Sequence, residues 1–305
     1  MASGILRASR NWVRSSGGIL IPDGYRIQSS VEKSRSLLQL KNDAKKILGL
    51  ADKDGVLISE ASDFSSLLSS AVKASDDFFI GGEVSNRAWL SVVQFSRVCD
   101  ALLALEGTED FKQLLRKLCS GSLNLLSRVQ SQPKNFLWEG ELLGMLRMCK
   151  LDAVMREPPD IVVTCLGEEI GIACKKLYSE RNVEKVFSNG VRQLSGGFDH
   201  GMVAFNLDDL VPENFVLYES SETNAAERIN VLNRKFIGYH ARHFHKYLNS
   251  ERVSAAFVST SVPVNIGNDP QNLRNIRQST VWTLPGSAGG INPAMRSFLG
   301  LLGNN

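Results

Sequence analysis

The segment DIVVTCLGEEIGIACKKL, residues 160–177, constrains the fold more than any other part of the chain. Ile161, Val162, Val163 and Thr164 form a β-branched run, the residue type that suits a pleated strand. Leu166 to Glu169 reads as a tight turn around Gly167, and Ile170 to Lys176 as a second extended run. A lone pair of strands is marginal in water, so the pair demands a larger sheet and helices to cover it. The flanks supply both. NFLWEGELLGMLRMCKL reads as an amphipathic helix carrying Glu139 and Glu141, with a short strand near Val154 and Met155 behind it. On the far side, Ser179 is an N-cap for a helix through VEKVFSNGVRQL, and GMVAFNLDDL is a strand ending in Asp208 and Asp209.

On a strand, residues two apart share a face. Lys175, Ala173, Gly171 and Glu169 therefore point one way, and Lys176, Cys174, Ile172 and Ile170 the other. Asp160 opens the partner strand, and the turn brings its carboxylate near the end of the second strand only where the register allows. A carboxylate beside a lysine ammonium at a sheet edge suits phosphodiester hydrolysis. The carboxylate holds a hard divalent cation, while the lysine handles the attacking water and offsets phosphate charge.

Residues 135–208 resemble the PD-(D/E)XK nuclease superfamily, the restriction-endonuclease-like fold. The resemblance rests on Pro159-Asp160, on the strand ending IACKK, on the acid-bearing helix before them and the helix ending VRQL after them. It implies an α/β fold: a restriction-endonuclease-like mixed sheet flanked by helices, in a metal-dependent nuclease. It implies Asp160 as central metal ligand, Lys175 as catalytic lysine, the main-chain carbonyl of Cys174 as a further ligand, and Gln193 as the polar residue of the following helix. The implied cofactor is Mg²⁺, or Mn²⁺ in its place, and the implied partner is nucleic acid, DNA rather than RNA. Some members of the superfamily serve in restriction and phage defence.

Ala173 departs from the pattern, which has Asp or Glu two residues before the lysine. A methyl group offers a metal no oxygen. The acid has migrated, was removed by design, or is missing from an inactive site. Glu169 lies about 13 Å along the strand at ~3.3 Å per residue, too far to replace it. Glu141 is the expected replacement, reaching from the packed helix into space left by Ala173. Glu139 and then Glu184 are the alternates. The rival class is a non-catalytic nucleic-acid-binding or scaffolding protein on a decayed nuclease core.

The rest of the chain is read around this core. Residues 1–26 form a basic arm: the first fifty residues hold nine Lys/Arg against three Asp/Glu. The Arg- and Ser-rich opening also fits an organellar transit peptide. Residues 27–132 read as a helical region, with Leu37, Leu40, Ala44 and Ile47 at helical spacing and Ser85 as the N-cap of a helix through Leu102. Residues 133–305 are the nuclease domain with a C-terminal extension, comprising a long helix over 223–250, strands in RVSAAFVST and STVWTLP, and a final helix in AMRSFLGLLG. In YHARHFHKYLNSER, Arg242, Lys246 and Arg252 form either a basic face for a phosphate backbone or a solvated outer face. Tyr239, Phe244 and Tyr247 interleave with them. Arg274 and Arg277 are weaker candidates of the same kind. His240, His243 and His245 do not share one helix face, so they do not converge as zinc ligands.

Composition sets the remaining bounds. With 43% hydrophobic and 22% charged residues the chain is an ordinary globular one, and its net charge of +3 is too small to diagnose a polyanion partner. The five cysteines have no CxxC spacing, as expected of reduced, mostly buried thiols in a cytoplasmic protein. No apolar run approaches the ~18 residues of a membrane span, so no membrane partner is expected. No glycine loop of the nucleotide-binding kind is present.

Overall fold

The structure is a computed structural model. It describes residues 36–195, 197–198, 200–249, 253–267, 273–283 and 293–302, with the backbone of three short strands, β1 (Trp12–Arg14), β2 (Leu20–Pro22) and β3 (Arg26–Ile27). Most of the basic arm lies outside the described residues, as does Arg252. The architecture is mixed α/β: a curled mixed sheet with a helical N-terminal part.

Four helices build that part: α1 (Leu37–Lys53), α2 (Asp63–Phe79), α3 (Asn86–Leu103) and α4 (Glu109–Leu118). Ser36, Ser62 and Ser85 start the first three, each hydroxyl accepting a hydrogen bond from a first-turn amide that has no partner within the helix. Their apolar faces do not close on themselves. Leu40, Phe64, Phe95, Leu102 and Leu114 belong to one buried cluster that continues through α5 (Gln132–Met148) into the sheet. These helices therefore share a core with the sheet.

Helix α5 departs from the amphipathic expectation. It is sandwiched between helical layer and sheet, and both Glu139 and Glu141 are buried with its leucines. A Cβ at Gly140 would run into the Leu114 side chain of α4, so with any other residue here that side chain would have to shift. On the sheet side Trp138 donates its indole N–H to the Ala204 carbonyl at 3.2 Å and stacks on Phe257.

The sheet holds β4 (Asp152–Met155), β5 (Ile161–Cys165), β6 (Glu168–Lys176), β7 (His200–Asn206), β8 (Leu217–Glu219), β9 (Ala255–Ile266) and β10 (Leu273–Trp282). The order is β3-β10-β9-β7-β6-β5-β4, with β8 beside the far half of β9. β5 and β6 form the expected hairpin. Cys165 pairs with Glu168 across a two-residue loop in which Leu166 and Gly167 both take positive φ, the twist that a tight hairpin needs. β6, β7 and the first half of β9 run parallel, joined through helices on the sheet face.

Helix α6 (Val183–Leu194) crosses from β6 to β7 on the face opposite α5. The expected long helix over 223–250 is two helices, α7 (Glu222–Tyr239) and α8 (Ala241–Leu248), meeting at His240. The break lets Phe236 and Phe244 both face the sheet, packed against Phe205. α9 (Pro293–Leu302) buries Met295, Phe298 and Leu299 on the α5 side. No helix among the described residues is long and apolar enough to cross a membrane.

Candidate active site

Antiparallel pairing of β5 with β6 sets Ile161 opposite Ile172, which brings Asp160 alongside Ala173 and Cys174. Asp160 Oδ2 accepts the Cys174 amide at 2.6 Å and the Lys175 ammonium at 3.1 Å. The same ammonium donates to the Cys174 carbonyl at 2.8 Å. The ammonium thus bridges the carboxylate and the carbonyl that the resemblance assigns to a cation. Both side chains are largely withdrawn from water, at 16% and 11% exposure for Lys175 and Asp160. The charge pair is consequently little screened.

Glu139 is the helix acid that belongs to this group. It lies on α5, 8% exposed. Burial, then the neighbouring Asp160 and Glu157 carboxylates, push its carboxyl up to about 8, against the opposing pull of Lys117 and Lys175. At neutral pH it carries a proton. The Cys174 thiol is raised as well, by burial first and then by Asp160 and Glu139, and stays neutral.

Glu141 does not join them, and the expectation that it replaces the missing acid is corrected. Its two oxygens are held by Arg97, at 2.8 and 3.1 Å, and by Arg277 at 2.6 Å. Two residues along a helix is slightly more than half a turn, so Glu139 and Glu141 point to opposite sides. Nor does Ala173 leave open space. Its methyl is fully buried among Phe187, Val191 and Val203 beneath α6, where Gly190 comes close. Strand alternation turns position 173 away from α5, and no α5 side chain replaces it there.

Glu184 sits on the outside of α6, paired with Lys246 at 2.8 Å, so it is no ligand for this site. Gln193 lies on α6 about one turn past Gly190, with its buried Oε1 lacking a hydrogen-bond partner.

The second lysine of IACKK goes elsewhere. Lys176 Nζ is 2.7 Å from Asp209 and 2.6 Å from Asn206 Oδ1. Asp209 also holds Lys134 at 2.7 Å, and Asp208 holds Arg97 at 2.7 Å. Together with Glu141 and Arg277 these residues form a buried ion network reaching from α3 to β10. Burial would raise the Asp208 carboxyl, but Arg97, Lys176 and Arg277 outweigh it and hold it at about 2. Asp208 and Asp209 were expected only to end a strand. They follow β7 in a short 3₁₀ turn, Asp208–Leu210, and join the network. The one sequence signal for it was Arg97, a charge set among Val93, Val98 and the apolar positions of α3.

On α8, Arg242 and Lys246 are exposed, Phe244 is core, and Tyr247 packs on Phe187. Lys246 is tied to Glu184, and the Arg242 side chain lies against His243. His240 and His243 face Glu180 and Glu184, while His245 stands against Trp282. Arg274 pairs with Glu222. Arg277 is buried against Glu141, which removes it as a nucleic-acid contact.

No protein-family model matches the chain, and no curated protein matches it. Among the described residues no group of three or more His, Cys, Asp or Glu side chains could hold a metal ion. The oxygens offered near Lys175 are the Asp160 carboxylate, the Glu139 carboxyl and one main-chain carbonyl, Cys174. That donor set suits a hard cation, which takes oxygen and keeps several of its waters.

Proposed function

We propose that the chain is a metal-dependent nuclease of the PD-(D/E)XK, restriction-endonuclease-like kind, hydrolysing phosphodiester bonds of nucleic acid, with DNA the first substrate to test. The observation that carries this reading is the Asp160–Lys175 contact at 3.1 Å, between the residue that leads into β5 and the end of β6, with the Cys174 main chain bonded to both side chains. The succession α5, β4, β5, β6, α6, β7 supports it, being the helix, three strands, helix, strand order of that fold.

Asp160, Glu139 and the Cys174 carbonyl would hold Mg²⁺ or Mn²⁺. When bound, such an ion supplies Lewis-acid charge to the phosphodiester and an acidified water. Lys175 donates hydrogen bonds from a fixed position, so it can orient the attacking water and offset phosphate charge. Glu139 keeps its proton at neutral pH; a cation beside Asp160 would favour its ionised form, in which it would serve as the second anionic ligand.

The test is cleavage of single- and double-stranded DNA and RNA by wild type, Lys175→Ala and Asp160→Asn, with Mg²⁺, with Mn²⁺ and with chelator. Either substitution should lower the rate by about 10²–10⁴-fold. Cleavage that survives chelation, or that ignores both substitutions, would sink the reading.

One observation favours a second reading. Position 173 carries a methyl sealed beneath α6, and Lys175 is already satisfied by Asp160 and Cys174. On that reading the chain binds or scaffolds nucleic acid without cutting it. Binding with no cleavage in any metal, unchanged by Lys175→Ala, would select it.

A further inference from the structure

We propose that Lys117, carried by the helical layer, is a phosphate-binding residue of the Asp160–Lys175 site, and that Glu157 holds its place until nucleic acid arrives. The proposal rests on the nuclease reading above and adds to it a residue from outside the strand-and-helix core. Lys117 is in the last turn of α4, and its Nζ is 2.6 Å from Glu157 Oε1. Glu157 lies in the β4–β5 connection, three residues before Asp160. The ammonium also stands over the Phe136 ring of α5, 4.3 Å from its centroid. Both members of the pair act electrostatically on Glu139, in opposite directions, so both lie within the field of the site.

The chemistry follows from exposure. Glu157 is 66% exposed and Lys117 27%. A pair so open to water contributes little to stability and is cheap to part. A phosphate oxygen offers the ammonium the same charge-assisted hydrogen bond as the carboxylate does. When Glu157 swings into solvent, the Phe136 ring keeps the ammonium in position through its negative face. Glu157 therefore stands in for a substrate phosphate. Its departure also removes a like charge from the neighbourhood of Glu139 and Asp160, where polyanionic substrate must enter. The helical layer contributes through this residue to substrate capture.

The prediction is a split of signs between two members of one ion pair. Binding of a fluorescent DNA duplex is measured by anisotropy in chelator, across a salt series, for wild type, Lys117→Ala, Lys117→Arg and Glu157→Gln. Thermal unfolding is run beside it. Lys117→Ala should weaken binding and flatten the salt dependence by about one unit of slope. Lys117→Arg should restore both. Glu157→Gln should tighten binding a few-fold, because it frees the ammonium and removes a repelling charge. A merely structural pair would respond otherwise: both neutralising substitutions would shift unfolding alike and leave affinity unmoved. That result overturns the assignment, as does a Glu157→Gln variant that binds more weakly. If wild type binds and cleaves but Lys117 is silent, only this inference falls. If wild type neither binds nor cleaves, the nuclease reading falls and takes Lys117 with it.

Discussion

Glu139 and Glu141 stand two residues apart on one buried helix, and Lys175 and Lys176 are adjacent on one strand. Each pair is divided between two polar centres inside the same molecule. Glu141 and Lys176 belong to the network with Arg97, Arg277, Asp208, Asp209 and Lys134, where every carboxylate has a cation within 2.8 Å. Glu139 and Lys175 belong to the smaller centre around Asp160. The two glutamates titrate in opposite directions. Burial would raise Glu141, but Arg277 and Arg97 prevail and its carboxyl falls below the ordinary value. Glu139 has no such partner and is pushed up to about 8. A fully paired network holds elements in register. A carboxyl left short of positive charge is the kind of group that waits for some. The contrast separates a structural centre from a candidate site without recourse to any motif.

The largest effect should come from breaking the network. Glu141→Gln leaves Arg97 and Arg277 buried with half their anions, and should cost about 3–5 kcal/mol in denaturant unfolding. A loss below about 1 kcal/mol would mean that the network does not hold these elements together. Glu139→Gln should act in the other direction. The folded carboxyl titrates at about 8 and the ordinary value is 4.5, so the folded state binds the extra proton between those limits. Wild-type stability therefore falls as pH rises through that window, by about 1.4 kcal/mol per unit, and is unaffected by Glu139 below it. The glutamine variant should match wild type near pH 4 and exceed it by on the order of 3 kcal/mol at pH 7. Parallel unfolding curves at both pH values would refute the raised carboxyl.

Ala173→Glu sharpens the comparison from the other side of the sheet. Under α6 the added side chain meets packed carbon, so it should destabilise by about 1–3 kcal/mol and rescue no acid variant. Rescue of cleavage in Glu139→Gln by this substitution would show that the pocket opens to the site after all. The smallest effect is expected on α8. Neutralising Arg242 and Lys246 should change the salt slope of nucleic-acid binding by about one unit per phosphate contact, and by nothing if this face is merely solvated.

The hairpin, its crossover helix and the strand beyond were legible because their signals are local. β-branched runs and a glycine in the left-handed turn at Gly167 act within a few residues, as does Ser179, although it caps the 3₁₀ turn Glu180–Asn182 that leads into α6 and not α6 itself. The positions of Asp160 and Lys175 at the two strand ends were legible for the same reason, but their contact depended on the hairpin register, which the structure supplies. Helix α5 was misjudged because amphipathicity assumes one wet face, and here the helical layer covers it. The choice between Glu139 and Glu141 turned on that covering. Arg97 and Asp208 are 111 residues apart in sequence, and no local pattern reports such a pairing.

The sequence by itself determined most of the strands and helices, and that one carboxylate would stand at the start of β5 and one lysine at the end of β6; that the two meet was decided by the register of the sheet. The tertiary structure alone decided which glutamate stands with them, which lysine is spent on the network, and why Ala173 is small. The physical reason is that charge and packing are settled by what lies across a helix or a sheet. A residue's neighbours along the chain specify its backbone, whereas its ionisation and its role depend on the groups that folding brings against its side chain.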